Sequence, residues 1–195
     1  MRVLMIYCHP RPDSFSAALR DAAVDALTAS GHDVALRDLY DERFDPVLST
    51  QQRGAYFDTA ENLRGIEDHA AALRRAEGLV LVYPTWWFGM PAMLKGWFDR
   101  VWLPGVAFRL GGATALQPLL TDIRRIGVVT TYGSPWWLLW WVGWPDRRVV
   151  RRGLRPLCAR ECRIHWIGLT RMDADSPARR QRFLAEVRRR LSEWR

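Results

Sequence analysis

LVLVYPTWWFGMPAMLKGWFDRVWL, residues 79–103, predicts more of the fold than any other stretch of the chain. Its apolar run Leu79–Tyr83 is typical of a buried parallel strand, and the run stops at Pro84. Pro91 then begins an apparent helix, because a proline in the first helical turn has no N–H group to lose. The loop between them, Thr85–Gly89, therefore follows the carboxyl end of a strand, where open α/β sheets bind ligands.

Three consecutive aromatic residues, Trp86, Trp87 and Phe88, fill that loop. Bulky aromatic side chains are unfavourable in a loop that faces only solvent, but they form good walls for a flat ligand. The loop therefore predicts a binding site for an aromatic molecule.

The rest of the chain alternates strands and helices in the same way, apart from an irregular segment that contains Gly111–Gly112. Five strands separated by helices predict an α/β protein with a doubly wound parallel sheet. The predicted strands are Val3–Cys8, Val34–Leu39, Leu79–Tyr83, Ile126–Thr131 and Arg163–Leu169. The predicted helices cover about Ser16–Ser30, Ile66–Ala76, Pro91–Val101 and Asp146–Ala159, and a last helix runs from Ser176–Pro177 to about Trp194.

Length and composition favour one globular domain, residues 1–195, with no internal repeat or linker. No stretch approaches the roughly 20 apolar residues of a membrane-spanning helix. Residues 1–10 hold only a short apolar run, which favours a first strand over a signal peptide. Three cysteines are too few for a disulfide framework and predict a cytoplasmic protein.

The net charge of +8 is distributed unevenly, with −3 in residues 1–97 and +11 in residues 98–195. Lys95 is the only lysine, so nearly all of the positive charge is on arginines. Coding bias toward arginine explains this pattern, and so does attraction to anions such as a pyrophosphate or acidic lipid. Nucleic acid is not a predicted partner, because no recognition motif accompanies the charge.

The segment after the first strand, His9–Ser16, combines a histidine and two serines with the start of a helix. Backbone N–H groups at a helix N-terminus, together with hydroxyls, suit a phosphate group. Capping of the helix by Asp13, Ser14 or Ser16 is the simpler explanation of any one of these residues. The chain has neither the G-x-G-x-x-G nor the G-x-x-x-x-G-K-[ST] motif, which argues against a nicotinamide-type Rossmann site or an ATPase.

HPRPDSFSAAL at residues 9–19 and YPTWWFGMPAMLKGWFDRV at residues 83–101 resemble the NAD(P)H:quinone oxidoreductases of the flavodoxin-2 group. The resemblance covers residues 1–133 well and the remainder loosely. It implies a flavodoxin-like sheet with strand order 2-1-3-4-5, a bound flavin (FAD, with FMN possible), NAD(P)H as co-substrate, and a homodimer. Azo and nitroaromatic compounds are alternative acceptors for the same site.

The resemblance also implies three flavin-contacting loops, one after each of three strands. The loop that contacts the phosphates is implied to contain His9, Ser14, Phe15 and Ser16. The loop along the flavin ring is implied to contain Pro84, Thr85, Trp86, Trp87 and Phe88, and the third loop Thr130, Thr131, Tyr132 and Gly133.

The predicted chemistry is a two-electron ping-pong reaction in which NAD(P)H and then a quinone stack on the exposed face of the flavin. Backbone N–H groups along Trp86–Phe88 are expected to donate to the ring edge and stabilise its negative charge. Trp87 and Phe88 are the predicted walls for the reacting rings.

The chain departs from the family in TTYGSPWWLLWWVGWPDRR, residues 130–148. Tyr132 replaces the first glycine of a family pair, and no histidine occurs between His69 and His165, so a Tyr–His relay cannot be transferred. Tyr132 is a tentative catalytic residue; packing beside the sheet edge is its alternative role.

The segment Trp136–Trp144 contains five tryptophans and is followed by several arginines. One interpretation is a lid and dimer contact over the flavin, and a second is a membrane-surface anchor; a core helix is the third. The resemblance also allows a different function, because some members of the group bind potassium-efflux channels. The protein would then be a regulatory subunit of such a transporter, with the Trp/Arg segment as its docking surface. No metal site is predicted, because Cys158, Cys162 and His165 have no fourth ligand nearby in the sequence.

Overall fold

A five-stranded parallel sheet forms the centre of the computed structural model, which describes residues 1–111, 115–174 and 176–194. Its strands are β1 (Arg2–Tyr7), β2 (Asp33–Asp38), β3 (Gly78–Pro84), β6 (Arg125–Thr131) and β7 (Arg163–Leu169). They lie in the order β2-β1-β3-β6-β7, and every neighbouring pair is parallel.

The strand numbers differ from the predicted order 2-1-3-4-5 because two further strands precede β6 in the chain. These are β4 (Phe108–Gly111) and β5 (Ala115–Pro118), which pair antiparallel in a sheet of their own. They occupy the stretch that was predicted to be irregular; Gly112 itself lies outside the described residues.

Helices cover both faces of the sheet, as a doubly wound fold requires. They are α1 (Phe15–Ala29), α2 (Thr50–Gly54), α3 (Glu67–Arg75), α4 (Ala92–Val101), α5 (Trp136–Val142), α6 (Pro145–Arg148) and α7 (Pro177–Ser192). α1 and α7 pack on one face, where their apolar side chains form one core cluster with alternate residues of β1. α3 and α4 contribute to the cluster on the other face.

The central strand β3 is buried along its whole length. Leu79, Leu81 and Tyr83 belong to the core on the α4 face, whereas Val80 and Val82 belong to the core on the α1 face. Since both faces of the strand meet a helix layer, the sequence shows a continuous apolar run rather than an alternating one. Burial of each aliphatic side chain stabilises the fold by about 1.5–3 kcal/mol.

The segment of the predicted helix Asp146–Ala159 is helical from Pro145 to Leu157, but it is not one regular α-helix. α6 ends at Arg148, a π-helical turn covers Val149–Leu154, and a 3₁₀ turn covers Arg155–Leu157. Pro156 explains why no α-helix continues there, because proline lacks the N–H group and its ring clashes with the carbonyl four residues earlier.

Candidate functional site

Three loops at the carboxyl edge of the sheet enclose a cavity of about 600 Å³. They follow β1, β3 and β6, as expected for a ligand site in an open α/β sheet. Twelve of the predicted site residues line this cavity: His9, Ser14, Phe15, Ser16, Pro84, Thr85, Trp86, Trp87, Phe88, Thr131, Tyr132 and Gly133. Thr130 does not line it, since its side chain is fully buried behind Thr85.

The loop after β1 presents the N-terminus of α1 to the cavity. Ser14 is the helix cap, and its Oγ accepts the backbone N–H of Ala17 at 3.1 Å. The hydroxyl of Tyr7 lies 3.4 Å from the same oxygen. The N–H groups of the first helical turn have no partner within a helix, so those of Phe15 and Ser16 can bind an anion. The capping role of Ser14 was one of the alternatives predicted from the sequence.

His9 is held by its own loop. Its Nδ1 lies 3.1 Å from the backbone N–H of Arg11, which donates to it. The carbonyl of Arg11 also lies 3.2 Å from Nδ1, so both backbone polar groups of Arg11 hold the ring. Its ring centroid lies 6.1 Å from that of Trp86, at the boundary between the first two loops.

The loop after β3 is a tight turn closed by two reciprocal hydrogen bonds. The backbone N–H of Trp86 donates to the carbonyl of Gly89, and the N–H of Gly89 donates to the carbonyl of Trp86, both at 3.1 Å. The two central residues have left-handed backbone angles, with φ of 50° at Trp87 and 62° at Phe88. This conformation costs roughly 1–2 kcal/mol for each non-glycine residue, and backbone strain of this kind is concentrated at functional sites.

The turn leaves two backbone donors unused. Within the described part of the chain, the N–H groups of Trp87 and Phe88 donate no hydrogen bond to another residue. The N–H of Trp86 was also predicted to be a donor to the flavin, but its bond to Gly89 shows that this part of the prediction is wrong. Thr85 anchors the turn to the third loop, because its N–H and its hydroxyl both donate to the carbonyl of Thr131, at 2.8 and 2.7 Å.

The aromatic side chains of this turn differ in exposure. Trp87 is 96% exposed and Trp86 is 42% exposed, whereas Phe88 is partly covered. The indole of Trp87 therefore stands at the rim of the cavity, with one face open to a ligand or to another protein chain.

The loop after β6 contains Tyr132, whose hydroxyl points into the protein. It donates to Oδ2 of Asp146 at 2.8 Å and accepts from the indole N–H of Trp166 at 3.1 Å. Burial raises the pKa of Tyr132, and the nearby Asp146 adds to the shift. This geometry favours the packing alternative for Tyr132, and its catalytic role stays a prediction.

Asp146 is a buried residue that the sequence reasoning missed. Only 2% of it is exposed, and burial raises the pKa of its carboxyl group despite the hydrogen bonds from Tyr132 and the backbone N–H of Arg147. A signal was available, because Asp146 is the only acidic residue between Asp122 and Glu161.

Four further residues line the cavity and were also missed: Ser134, Leu139, Met172 and Asp173. Met172 and Asp173 follow β7. The rule that ligands bind at the carboxyl ends of strands, which was applied to β1, β3 and β6, would have found them too. Asp173 lies against Gly133, where a Cβ atom would come within 2.3 Å of Oδ2. The Asp173 carboxylate is therefore packed directly on the Gly133 backbone, and a side chain at residue 133 would displace it.

The tryptophan-rich segment forms α5, which lies on the surface. Leu139 is its one buried residue and lines the cavity. Its four tryptophans are 54–76% exposed: Trp136, Trp137, Trp140 and Trp141. The core-helix interpretation of this segment is therefore wrong. Among the described residues, no helix is both long and apolar enough to span a membrane.

The family model for the flavodoxin-like fold of the flavodoxin-2 group matches residues 1–194. The chain belongs to this family. A crystal structure of Smu.1420 from Streptococcus mutans UA159 is similar over the full length of both chains, with 29% identity and a TM-score of 0.86. The NAD(P)H:quinone oxidoreductase from Methanothermobacter marburgensis matches 98% of this chain and 96% of its own, with 26% identity and a TM-score of 0.81.

Curated relatives match a part of their own length. A ribosyldihydronicotinamide dehydrogenase-like protein, traD of Penicillium crustosum, is 39% identical over 160 residues, which are 68% of this chain and 58% of the relative. NAD(P)H dehydrogenase [quinone] 1 of Cavia porcellus is 35% identical over 149 residues, 68% of this chain and 54% of the relative. The chain thus matches little more than half the length of these two relatives.

Proposed function

We propose that this protein is a flavin-dependent NAD(P)H oxidoreductase that reduces quinones or similar aromatic acceptors by two electrons. The observation that carries the proposal is the pair of unused backbone donors at Trp87 and Phe88, held in a strained turn beside a cavity that also receives the N-terminus of α1. The printed names of the relatives, which are quinone dehydrogenases and oxidoreductases, support it.

The residues present fit a flavin. The first turn of α1 can hold a phosphate, and the N–H groups of Trp87 and Phe88 can donate to the acceptor atoms along one edge of the ring. The indole of Trp86 and the ring of Phe88 add flat apolar surface to the same cavity. We propose FAD rather than FMN on the resemblance to the quinone oxidoreductases. Releasing the chromophore by heat and identifying it chromatographically tests this choice.

A bound flavin supplies the hydride chemistry, and the protein holds, orients and tunes it. Donation from the N–H groups of Trp87 and Phe88 stabilises negative charge at the ring edge without any rearrangement, because the turn already fixes their direction. The exposed indole of Trp87 offers a stacking surface at the rim. If NAD(P)H and the acceptor use this one open face in turn, the kinetics are ping-pong.

An absorption spectrum of the purified protein and its rate of NAD(P)H oxidation test this proposal. We expect the purified protein to carry a yellow chromophore and to oxidise NADPH or NADH when a quinone is added. Double-reciprocal plots of the initial rate against the NAD(P)H concentration, measured at several fixed quinone concentrations, should give parallel lines. A protein that binds neither FAD nor FMN, or that oxidises no NAD(P)H with any quinone, contradicts the proposal.

We further propose a homodimer in which a second copy covers α5. Trp136, Trp137, Trp140 and Trp141 expose a large apolar surface next to the cavity, and such surfaces mark interaction sites. The double variant Trp140→Ser/Trp141→Ser should sediment as a monomer, with the Phe57→Ser variant, at an exposed phenylalanine outside this segment, as the control.

The membrane interpretation of α5 makes a different prediction for the same variant. Arg148, Arg151 and Arg152 are exposed just beyond α5, a pattern that can also bind an anionic surface. A wild-type protein that is monomeric, and that co-sediments with anionic vesicles only while Trp140 and Trp141 are present, would replace the dimer proposal. The regulatory-subunit alternative gains no support from the relatives named above.

A further inference from the structure

Tyr132 and Asp146 are joined by a buried network that the proposed chemistry does not use. Each is only 2% exposed, and the Tyr132 hydroxyl lies 2.8 Å from Oδ2 of Asp146. The other carboxylate oxygen, Oδ1, accepts the backbone N–H of Arg147 at 2.8 Å. Both oxygens of Asp146 are therefore occupied by donors.

The direction of each hydrogen bond follows from the groups present. The indole of Trp166 can only donate, so the Tyr132 hydroxyl must accept from it at 3.1 Å. The hydroxyl proton is then directed to Asp146, which has to present an acceptor oxygen. The two donors approach different oxygens, so an asparagine in place of Asp146 turns its NH₂ group toward either Tyr132 or the Arg147 N–H and loses that hydrogen bond.

Tyr132 is fixed on its other sides as well. Its N–H donates to the carbonyl of Leu169 at 2.7 Å, and its carbonyl accepts from the N–H of Met172 at 2.9 Å. Its ring meets that of Trp144 edge to face, with centroids 5.6 Å apart. Tyr132 is thus a rigid point at the end of β6, attached to the loop after β7.

The Tyr132–Asp146 bond closes the segment 133–145 into a loop that carries α5. Within this loop Leu139 is the α5 side chain that reaches the cavity, and the exposed tryptophans lie around it. The two ends of the loop meet at the buried hydrogen bond and at the Tyr132–Trp144 contact. A backbone bond from the N–H of Arg171 to the carbonyl of Ser134, at 3.2 Å, holds the first end of the loop as well.

We propose that Asp146 is a positioning residue: by accepting the hydrogen bond of Tyr132, it ties together the ends of segment 133–145 and holds α5 against the cavity. The closure keeps Leu139 and the Gly133–Ser134 backbone in place as one wall of the site. The effect on flavin binding rests on the proposed function, whereas the effect on α5 does not.

Limited proteolysis tests the closure without any ligand. Chymotrypsin cleaves after aromatic residues, and α5 exposes four tryptophans. We expect the Tyr132→Phe and Asp146→Asn variants to be cut within residues 136–144 about tenfold faster than the wild type, because each loses a charge-assisted hydrogen bond. The increase in cleavage rate in the double variant should be smaller than the product of the two single increases, since the Tyr132–Asp146 bond is lost in each single variant. Tyr40→Phe, at a tyrosine next to β2, is the matched control and should behave as the wild type.

The same five proteins are then titrated with FAD. The dissociation constant should rise about tenfold in both single variants, and the rise in the double variant should again be smaller than the product of the two single rises. Circular dichroism and sedimentation confirm that the compared proteins are equally folded and equally assembled. If Asp146→Asn does not fold, Tyr132→Phe decides the result alone.

Three outcomes separate the proposals. Cleavage at the wild-type rate in a folded Tyr132→Phe variant overturns the closure. A fall in turnover in that variant with unchanged cleavage and unchanged FAD binding also overturns it, and supports the catalytic role of Tyr132 instead. Failure of the wild-type protein to bind any flavin contradicts the proposed function and leaves the proteolysis result standing.

Discussion

Trp87 and Phe88 occupy a backbone conformation that their residue types disfavour. Both have positive φ, which glycine, asparagine and aspartate tolerate far better than bulky residues do. The reciprocal Trp86–Gly89 bonds hold the turn, and the result is two N–H groups directed away from the rest of the chain. Strain at this site is therefore coupled to the feature that carries the proposed function.

A pair of substitutions at Trp87 measures that strain. Its side chain is 96% exposed, so little burial is lost on replacement. Trp87→Asn should raise the free energy of unfolding by about 1 kcal/mol, because asparagine tolerates the left-handed region better than tryptophan does. Trp87→Val should give no such gain, because a β-branched residue is at least as strained there as the tryptophan that it replaces. Urea unfolding distinguishes the two; equal stabilities would show that the turn is unstrained.

The environment of His69 predicts that the fold loses stability as the pH falls. Burial, with nearby Arg37 and Arg100, lowers the pKa of His69 to about 4. The indole of Trp97 donates to its Nδ1 at 3.2 Å, and its Nε2 lies 3.2 Å from a carboxylate oxygen of Glu42, which fits a neutral imidazole. Between pH 6.5 and 4 the unfolded chain therefore binds a proton that the folded chain does not, and the folded state loses stability as the pH falls.

We expect the free energy of unfolding to fall by about 2 kcal/mol between pH 7 and pH 4 on account of His69. Burial raises the pKa of Glu42, and this shift acts in the opposite direction and reduces the net change. The His69→Gln variant is the control, because glutamine can accept from Trp97 and donate to Glu42 but does not titrate. Denaturant unfolding of both proteins at each pH provides the comparison, and parallel pH profiles would contradict the assignment.

At the scale of elements, α4 depends on one close approach. A Cβ atom at Gly96 would come within 2.3 Å of the carbonyl oxygen of Pro46, a backbone atom that cannot move aside. Gly96→Ala should therefore destabilise the fold by about 1–3 kcal/mol. Gly153→Ala, where a Cβ atom meets no neighbour, should be neutral or slightly stabilising. A thermal melt of the two variants compares them directly, and equal shifts would show that α4 does not pack as described.

The elements that were predicted correctly are those whose buried faces require apolar residues at regular positions in the sequence. β3 meets a helix layer on both faces, so its run of apolar residues indicates a strand directly. The β4–β5 hairpin lies outside the main sheet, and its paired residues Leu110 and Leu116 are both more than half exposed, so no pattern of burial predicts it. The segment after Arg148 was predicted to be helical, whereas its division into a π-helical turn and a 3₁₀ turn was not predicted.

For the site as well, the positions of the loops were predicted but the contacts of individual side chains were not. Loops at the ends of buried strands were predicted from topology, whereas the role of each side chain depends on its direction. Thr130 and Tyr132 belong to the predicted loop, yet the hydroxyl of each is directed away from the cavity into hydrogen bonds with the protein. Asp146 was missed because its partner Tyr132 is fourteen residues away in the sequence, and only the fold brings the two together.

At the scale of the whole molecule, the uneven charge predicts how the protein meets an anionic substrate. Residues 98–195 carry a net charge of +11, and Arg148, Arg151 and Arg152 are exposed in the turns that follow α5 in the chain. Such a field attracts a polyanion and is screened by salt within about 10 Å at 0.1 M ionic strength. We therefore expect kcat/KM for NADPH to fall as sodium chloride rises from 50 to 500 mM.

Two comparisons make this prediction specific. The KM for an uncharged quinone should not change over the same range, because salt screens only charged partners. The Arg151→Gln/Arg152→Gln variant should reduce the salt dependence measured with NADPH, whereas Arg160→Gln/Arg163→Gln, near the amino end of β7, changes the net charge equally at the opposite edge of the sheet. If both double variants reduce the salt dependence alike, net charge alone sets the attraction. If only the first does, the arginines that follow α5 direct the nucleotide to the cavity.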